Sequence, residues 1–390
     1  MFKMKYFFAG FLLTTLMNVH AQSKLNVARQ LQRAAVQYRG MLQELGDTTT
    51  FFPQSINPDG SLRKMRSDWW CSGFFGGSLW YLYEYTKDST LQHAAATWTE
   101  AVSKEQYNTG THDLGFMLYC SFGNGYRITH REAYKKVLLN GAQSLSTRFH
   151  PAVGVIKSWN NFKGYNYPVI IDNMMNLELL CEATKLSGNK NYYNIAVAHA
   201  DKTMAQHFRP DYSSYHVVCY DSVGTVLAKI TAQGYADSSA WARGQAWGLY
   251  GYTVMYRETK DEKYLEQAKH IARFYMYHPR LPADKIPYWD FDAPHTDNEP
   301  RDASAAAIVA AALLELQQYV PKQLGKTYID FATASLVSLS SPTYFAGEGN
   351  HHFLIKHGTG HLPAHSEIDV PLIYADYYYI EALLRYDKLQ

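Results

Sequence analysis

Residues 73–104 read GFFGGSLWYLYEYTKDSTLQHAAATWTEAVSK, and the two halves of this stretch differ in character. The first half, 73–86, is apolar on all sides, whereas the second half, 89–104, mixes apolar residues with polar and charged ones. A helix that is apolar all round is buried, and an amphipathic helix keeps one face in solvent. The stretch therefore predicts a helical hairpin with a buried inner helix and a solvent-facing outer helix.

The same alternation runs along the whole chain. Apolar-periodic segments of helical length follow one another, and the even-numbered ones are more apolar and richer in Gly and Ala than the odd-numbered ones. Six helical hairpins closed into an all-α (α/α)6 barrel are the simplest architecture for such an inner and outer ring. The predicted segments are 24–45, 73–86, 89–104, 113–127, 131–147, 172–187, 190–207, 238–258, 261–277, 302–320, 325–339 and 370–386.

A weak internal repeat supports the hairpins. Thr86-Lys87-Asp88 and Thr259-Lys260-Asp261 both end an inner segment and lead into an outer one, and Thr184-Lys185-Leu186 resembles them. The long connections between hairpins contain β-branched, alternating runs at 153–159, 215–220 and 225–230, with a hairpin turn predicted at 221–224. Because long loops on a rigid scaffold often build a site, we expect them to line one mouth of the barrel.

The N-terminus predicts export. Lys3 and Lys5 precede an apolar run over 6–19, and Val19-His20-Ala21 offers a small-residue cleavage site. We therefore expect a secretory signal peptide over 1–21, a single catalytic barrel domain over 22–390, and a periplasmic or secreted protein. Without the two lysines of the leader, the formal net charge of +2 falls to about zero. That balance argues against nucleic acid or a membrane as partner, and nothing indicates an obligate protein partner.

Composition favours a site that binds sugars without a metal or cofactor. Aromatic residues make up 15% of the chain, and they provide either stacking surfaces for sugar rings or a large aromatic core. The four cysteines are far apart, so buried free thiols are favoured over a disulfide, whose pairing the sequence does not specify. The histidines at 351, 352, 357, 361 and 365 lack companion carboxylates or cysteines at ligand spacing, which favours a solvated loop over a zinc site.

Candidate binding and catalytic residues come from two places. The stretch 233–252, QGYADSSAWARGQAWGLYGY, places Arg243 among small residues and indoles. The planar guanidinium of an arginine suits a carboxylate or sulfate, which indicates an acidic carbohydrate. Asp113 and Asp172 each begin an inner helix, so both carboxylates converge on one rim. Paired carboxylates are common in carbohydrate chemistry, although an Asp at a helix start also serves as an N-cap.

These residues belong to a larger set of motifs that resembles the unsaturated glucuronyl hydrolases, glycoside hydrolase family 88. The resemblance extends from about residue 65 to the C-terminus, with the motifs in the right order. The motifs are Trp70-Cys71-Ser72-Gly73-Phe74, Leu79-Trp80, His112-Asp113-Leu114-Gly115-Phe116, Asp172-Asn173-Met174-Met175-Asn176, Gln233-Gly234-Tyr235, Ser239 through Gly248, Tyr288-Trp289-Asp290-Phe291-Asp292 and Ala375-Asp376-Tyr377-Tyr378.

The resemblance implies hydration of the C4=C5 double bond that polysaccharide lyases leave in a non-reducing-end uronate. By similarity, Asp172 is the general acid and base and Asp113 its partner carboxylate. The expected substrate-binding residues are Trp70, His112, His216, Gln233, Arg243 and Trp247. A carboxyl that acts as an acid near neutral pH needs a raised pKa, and a second carboxylate in an apolar pocket would raise the pKa of Asp172.

Structural alternatives remain open for several of these side chains. Arg243 would serve the fold by bonding loop carbonyls, Trp70 and Trp247 would be core residues, and His216 would be a hydrogen-bonded surface residue. The rival carboxylates Asp290, Asp292 and Asp302 are explained by ion pairing and helix capping. Two functional alternatives also remain: an unsaturated rhamnogalacturonyl hydrolase, and a non-catalytic sugar-binding protein on the same barrel.

One further loop is a candidate for substituent recognition. Residues 349–367, GNHHFLIKHGTGHLPAHSE, precede the last inner segment and are therefore expected on the rim that carries the two aspartates. Lys356 and Ser366 offer hydrogen-bond donors to an anionic substituent. We expect this loop to contact the sugar next to the uronate and to influence tolerance of its sulfation.

Overall fold

The computed structural model describes residues 25–294, 296, 298–347 and 349–390, so the predicted signal peptide lies outside the described residues. All the predicted helical segments are present, and their ends lie within a few residues of the expected bounds. The helices are α1 (Val27–Leu45), α2 (Ser72–Thr86), α3 (Ser89–Glu100), α4 (Asn124–Thr129), α5 (Glu132–Ser146), α6 (Leu177–Ser187), α7 (Lys190–Gln206), α8 (Ala242–Thr259), α9 (Glu262–Tyr277), α10 (Ala303–Leu316), α11 (Lys322–Leu339) and α12 (Ile373–Asp387).

The even-numbered helices form the inner ring of an (α/α)6 barrel. Helix α10 is buried along its whole length, and α8 and α12 are buried apart from their last turns. The outer helices α1 and α9 bury only one stripe. Each inner segment packs against the next, and α12 packs against α2, so the inner ring is closed. The predicted inner and outer alternation is confirmed.

Repeated corner geometry explains the Thr-Lys-Asp motif. Lys87 and Lys260 adopt the left-handed backbone conformation, with φ of 58° and 57°, and each ends an inner helix. Asp88 then caps α3 by accepting from the Thr90 amide, and Asp261 caps α9 in the same way. The inner helix therefore ends and the outer helix begins within two residues.

Two inner segments depart from regular α-helix beside the predicted catalytic residues. Gly115–Gly123 is a π-helix that continues into α4, and Ile171–Asn176 is a 3-10 helix that continues into α6. The two segments touch, because the Phe116 amide donates to Asn176 Oδ1 at 3.1 Å. A Cβ on Gly115 would lie 2.5 Å from Asn176 Cα, so only glycine permits this approach. The close packing brings Asp113 and Asp172 to one place.

The strands lie in the long connections, as predicted, but their bounds differ. The strands β6 (Val217–Tyr220) and β7 (Val226–Ile230) form the expected antiparallel hairpin, and β5 (Pro168–Ile170) pairs with the other edge of β6. The predicted run at 153–159 contains only the two-residue strand β4 (Val155–Ile156), which pairs with β3 (Phe149–His150). The hairpin of β1 (Phe52–Ile56) and β2 (Leu62–Met65) was not predicted.

The end of the barrel opposite the predicted site is filled by ion pairs. Arg257 at the end of α8 contacts glutamates from its own helix, from α6 and from α10. Arg385 on α12 contacts Glu315 and Glu381, each at 3.0 Å. Charged groups from α6, α8, α10 and α12 therefore compensate one another at this end of the ring.

Candidate active site

A cavity of about 340 Å³ opens at the N-terminal ends of the inner helices. Most of the predicted site residues line it. They are Trp70, His112, Asp113, Asp172, Gln233, Arg243 and Ser366. The loops around β5 and β6, together with residues 360–367 before α12, complete its walls.

Asp172 is the carboxyl best suited to hold a proton. It begins the 3-10 helix that precedes α6, and its side chain is only 13% exposed. Its Oδ2 atom has no hydrogen-bond partner among the described residues. Burial raises the Asp172 pKa to about 7, the nearby Arg243 opposes this rise, and the Asp113 charge adds to it. The acid can therefore be protonated near neutral pH, and burial rather than repulsion is the main cause.

His216 faces Asp172 in a defined tautomer. Its Nδ1 accepts hydrogen bonds from the amides of Ala232 and Gln233 at 3.2 and 3.0 Å. The hydrogen of the neutral ring must therefore lie on Nε2, which is 3.7 Å from Asp172 Oδ2. Burial lowers the His216 pKa well below its usual range, so the ring is neutral. His216 is thus a buried, uncharged ring whose Nε2–H lies near the acid without a hydrogen bond to it, rather than a surface residue.

Asp113 lies beside a second buried imidazole. Its Oδ2 accepts from the Thr111 hydroxyl at 3.0 Å, and its Oδ1 lies 3.2 Å from His112 Nε2. Burial lowers the His112 pKa, although the neighbouring carboxylate opposes the shift. Asp113 therefore has local partners that fix its orientation, and it still lines the cavity.

Arg243 forms hydrogen bonds to backbone and side-chain groups at the rim of the cavity. This is the structural role that the sequence left open as an alternative to substrate binding. The guanidinium is buried; its Nη1 donates to Asp302 Oδ2 at 2.6 Å and to the Thr359 carbonyl at 2.5 Å. Nη2 donates to the Gly360 carbonyl at 2.5 Å. The Gln233 side chain donates to the same carbonyl at 2.9 Å. Arg243 still lines the cavity, but it makes three hydrogen bonds away from it, one to Asp302 and two to segment 359–360.

The two predicted stacking tryptophans have different positions. Trp70 is half-buried in the cavity wall, and its ring centroid lies 4.9 Å from that of Tyr374. Trp247 is completely buried and packs against Phe116 at 5.1 Å, so the prediction that it stacks on sugar is wrong. A ring without exposed surface has no face to offer a ligand. Trp247 instead interacts with the Asp172 side chain, and this interaction lowers the pKa of that acid.

Lys356 and Ser366 also have different positions. Ser366 lines the cavity, and its hydroxyl accepts from Arg63 Nη1 at 3.1 Å. Lys356 donates from Nζ to the Pro342 carbonyl at 3.0 Å and lines a separate groove near the start of α1. The expectation that Lys356 binds substrate is therefore not met, because the backbone around it is held by Tyr344 and directs the side chain away from the cavity.

Sequence reasoning missed several wall residues. Arg63 comes from the unpredicted β1–β2 hairpin, and Trp69 directly precedes a predicted residue. Trp159 ends the predicted strand run 153–159, and Glu367 ends the predicted loop 349–367. The adjacent tryptophans at 69 and 70 were a usable signal. For the hairpin, Pro58-Asp59-Gly60 was a usable turn signal, although the flanking strands lack a clear alternating pattern.

The rival carboxylates and the cysteines have structural roles. Asp290 is fully buried and accepts from the Tyr235 amide and the Ser239 hydroxyl, at 2.9 and 2.7 Å. Asp302 caps α10 through the Ser304 amide and pairs with Arg243.

All four cysteines are buried free thiols, as the sequence favoured. Across the part of the chain that the structure describes, no group of His, Cys, Asp or Glu side chains has the geometry of a metal site. Among the same residues, no helix is long and apolar enough to span a bilayer.

Comparison with known proteins agrees with this geometry. The profile of Glycosyl Hydrolase Family 88 matches residues 48–387. An unsaturated glucuronyl hydrolase from Formosa agariphila is 48% identical over 344 residues, covering 87% of this chain and 85% of the relative. An unsaturated chondroitin disaccharide hydrolase from Streptococcus agalactiae is 30% identical, covering 95% of this chain and 94% of the relative. A crystal structure of an unsaturated glucuronyl hydrolase specific for heparin is 50% identical, covers 93% of this chain and 97% of that one, and superposes with a TM-score of 0.89. The chain therefore belongs to glycosyl hydrolase family 88.

Proposed function

We propose that this protein hydrates the C4=C5 double bond of the unsaturated uronate at the non-reducing end of lyase-generated oligosaccharides. The observation that carries the proposal is Asp172, a buried carboxyl with a pKa of about 7 that faces a cavity with a second carboxylate beside it. Addition of water to an enol ether needs one group that first gives a proton and then takes one, and such a group works best with a pKa near the operating pH.

Asp172 begins the reaction by transferring its proton to C4, which leaves an oxocarbenium ion at C5 and the ring oxygen. The resulting Asp172 carboxylate accepts a proton from a water molecule whose oxygen bonds to C5. The product is a hemiketal, and its opening to a ketone leaves C1 as a hemiacetal that releases the neighbouring sugar. The acid is protonated again at the end, so the cycle consumes only water.

The neighbours of Asp172 suit its two protonation states. The Nε2 atom of His216 lies 3.7 Å from Oδ2, and a small approach would let its hydrogen stabilise the carboxylate that forms after proton transfer. The negative charge of Asp113 favours the positive character that develops at C5 and the ring oxygen. Trp70 presents a half-buried indole on which a sugar ring can lie. We therefore assign acid and base chemistry to Asp172, charge stabilisation to Asp113 and positioning to His216.

The comparisons support a glycosaminoglycan source for the substrate. The relative specific for heparin shares 50% identity with this chain, and the chondroitin disaccharide hydrolase of S. agalactiae shares 30%. We favour heparin-derived disaccharides over chondroitin-derived ones for this reason. An unsaturated rhamnogalacturonyl substrate and a non-catalytic sugar-binding role are the alternatives that the experiment must separate.

The test is a panel of lyase-derived disaccharides, followed by the ultraviolet absorbance of the conjugated ene-carboxylate. Wild type should bleach the absorbance of unsaturated glucuronyl disaccharides, and Asp172→Asn should not, because an amide has no acid proton to give. Binding of the intact disaccharide by Asp172→Asn, measured by calorimetry, checks that the cavity survives. Bleaching confined to rhamnogalacturonan fragments would favour the first alternative, and binding without turnover by wild type would favour the second.

We also propose that the protein is exported, on the strength of the leader pattern in residues 1–21. Mass spectrometry of protein expressed with its native N-terminus should find a chain that begins at Gln22, recovered from the periplasm or the medium. A full-length chain retained in the cytoplasm would contradict export without affecting the proposed reaction.

A further inference from the structure

Arg148 is a buried arginine that does not line the cavity and that the proposed reaction does not use directly. It lies two residues beyond the end of α5, and its guanidinium donates four hydrogen bonds. The acceptors are the Thr109 carbonyl at 2.8 Å, the Lys157 carbonyl at 2.8 Å, the Ser158 carbonyl at 2.9 Å and Asn160 Oδ1 at 3.3 Å. One planar side chain therefore joins loop 108–113 to segment 156–160.

Loop 108–113 carries the partner carboxylate. Asp113 is fixed within the loop by Thr111, whose hydroxyl donates to Asp113 Oδ2 at 3.0 Å and accepts from the Asp113 amide at 3.1 Å. Arg148 holds the same loop at Thr109, four residues before Asp113. Because the connection is so short, a displacement of Thr109 would displace Asp113 as well.

Segment 156–160 supports the acid on the other side of the cavity. The Ile156 carbonyl accepts from the Asn173 side chain at 2.9 Å, and Ser158 Oγ accepts from the Ile170 amide at 3.0 Å. Ile170 and Asn173 lie on either side of Asp172 in the sequence. The segment that Arg148 binds is thus the one to which the backbone around Asp172 is attached.

The charge of Arg148 acts on the same pair of loops. All four of its acceptors are neutral groups. Burial lowers the pKa of Arg148, and the nearby negative charge of Asp113 opposes this fall. Burial also lowers the pKa of His112, Asp113 opposes that shift, and the Arg148 charge adds to it. The guanidinium therefore favours a neutral imidazole beside Asp113.

We propose that Arg148 is a positioning residue for this reaction, which sets the separation of Asp113 and Asp172 by locking loop 108–113 to segment 156–160. This inference rests on the proposed function. Proton transfer from Asp172 and charge stabilisation by Asp113 act on the same sugar ring, so the ring fits both only when the two carboxyl groups keep a fixed spacing. A misplacement of about 1 Å costs on the order of a hundredfold in rate.

The experiment compares kcat and KM for an unsaturated glucuronyl disaccharide between wild type and Arg148→Leu, which removes all four hydrogen bonds. We expect kcat to fall by on the order of a hundredfold. KM should stay within about threefold of wild type, because Arg148 does not line the cavity. Arg257→Leu is the matched control, since it also removes a partly buried guanidinium that joins neighbouring helices, at the opposite end of the barrel. Its kcat should stay within about twofold of wild type.

Arg148→Lys separates the geometry of the guanidinium from its charge, and it serves in place of Arg148→Leu if that variant does not fold. A lysine keeps the positive charge but lacks the planar set of donors that reaches both loops. We expect kcat to remain about tenfold or more below wild type. In Arg148→Ala, guanidinium ions at a non-denaturing concentration should restore part of the lost kcat, and sodium ions at the same ionic strength should not.

The Asp172 pKa reports the separation of the two carboxyl groups without turnover. Burial raises this pKa, Arg243 and Trp247 lower it, and the Asp113 charge adds to the rise. Without Arg148, repulsion between the carboxylates should move loop 108–113 away from Asp172. Carbon-13 NMR of the aspartate carboxyl carbons should therefore find an Asp172 midpoint below about 7 in Arg148→Leu, or in Arg148→Lys where that variant replaces it, and an unshifted midpoint of about 7 in Arg257→Leu.

Three results would overturn the inference. Wild-type kcat in Arg148→Lys would show that the charge suffices and that the hydrogen bonds to the two loops are dispensable. An equal fall of kcat in Arg257→Leu would indicate a general loss of stability. An unshifted Asp172 midpoint in the Arg148 variant would show that the two carboxyl groups keep their spacing without the arginine. Failure of the proposed function is a separate outcome, because it would appear as absence of turnover by wild type.

Discussion

Replacing Arg243 with methionine should reduce stability sharply, which differs from the effect of losing a simple substrate contact. Methionine fills part of the volume but leaves Asp302, which is fully buried, without its charged partner at 2.6 Å. The Thr359 carbonyl also loses its donor. Breaking a buried ion pair by removal of one partner costs about 3–5 kcal/mol. We expect a loss of that size in the free energy of unfolding.

The assay is urea denaturation of wild type, Arg243→Met, Asp302→Asn and the double variant. Asp302→Asn removes the buried charge and keeps an oxygen that can cap α10, so the double variant should recover much of the stability lost by Arg243→Met. A coupling energy of about 1 kcal/mol or more between the two changes is the expected result. Stability within about 0.5 kcal/mol of wild type in Arg243→Met would show that the buried ion pair does not stabilise the fold. A rise in KM without a loss of stability would instead indicate that Arg243 recognises the substrate.

The Arg243→Met variant also tests how strongly the arginine affects the pKa of Asp172. The positive charge of Arg243 lowers the Asp172 pKa, so its removal should raise that pKa above about 7. Asp172 acts in its protonated form, and activity at the alkaline side of the pH profile should therefore persist to higher pH. A profile that does not move would show that the arginine has no electrostatic influence on the acid.

Two further predictions concern stability at the barrel wall and at its closed end. Burial lowers the His207 pKa to about 4, because the folded protein keeps this ring neutral. The contribution of the neutral ring to the free energy of unfolding is therefore complete above about pH 6.5. As the pH falls toward 4 the unfolded chain binds the proton first, and the free energy of unfolding decreases by about 3 kcal/mol at most. His207→Gln retains a donor for the Val169 carbonyl and should flatten this acid-side loss in denaturation curves measured from pH 7 to 4; an unchanged slope would assign the loss elsewhere. Arg257→Leu leaves Glu178 without a cation, whereas Glu258 keeps Lys185 and Glu315 keeps Arg385. It should cost about 1.5–3 kcal/mol of stability, with kcat/KM unchanged well below the melting temperature; a marked fall in kcat/KM would contradict the separation of the two ends.

The helices and their corners followed from the sequence because local chemistry specifies them. Apolar-all-round segments had to be inner helices, and the Thr-Lys-Asp corners supplied a left-handed residue followed by an N-cap. The π-helix at Gly115–Gly123 could not be predicted in this way. It depends on the approach of Asn176, a contact between segments that are far apart in the sequence.

The same distinction separates the site residues that the sequence predicts from those that it does not. Asp113 and Asp172 were found because each stands at the start of an inner segment, and such starts share one rim. Trp247 and Lys356 were misplaced because a residue type indicates what a side chain can do, and not which way it faces. Glu367 was missed because its partner Gln54 lies in a hairpin far away in the sequence, whose strands lack a clear alternating pattern.

The proposed reaction requires a proton held by Asp172 near neutral pH, and carbon-13 NMR of protein labelled at the aspartate carboxyl carbons measures this directly. The Asp172 resonance is identified as the one that disappears in Asp172→Asn, and its chemical shift is followed from pH 4 to 9. We expect a midpoint of about 7, because burial raises the Asp172 pKa and Arg243 only partly opposes the rise. A midpoint near 4, the ordinary value for an aspartate in water, would contradict the role of Asp172 as the acid.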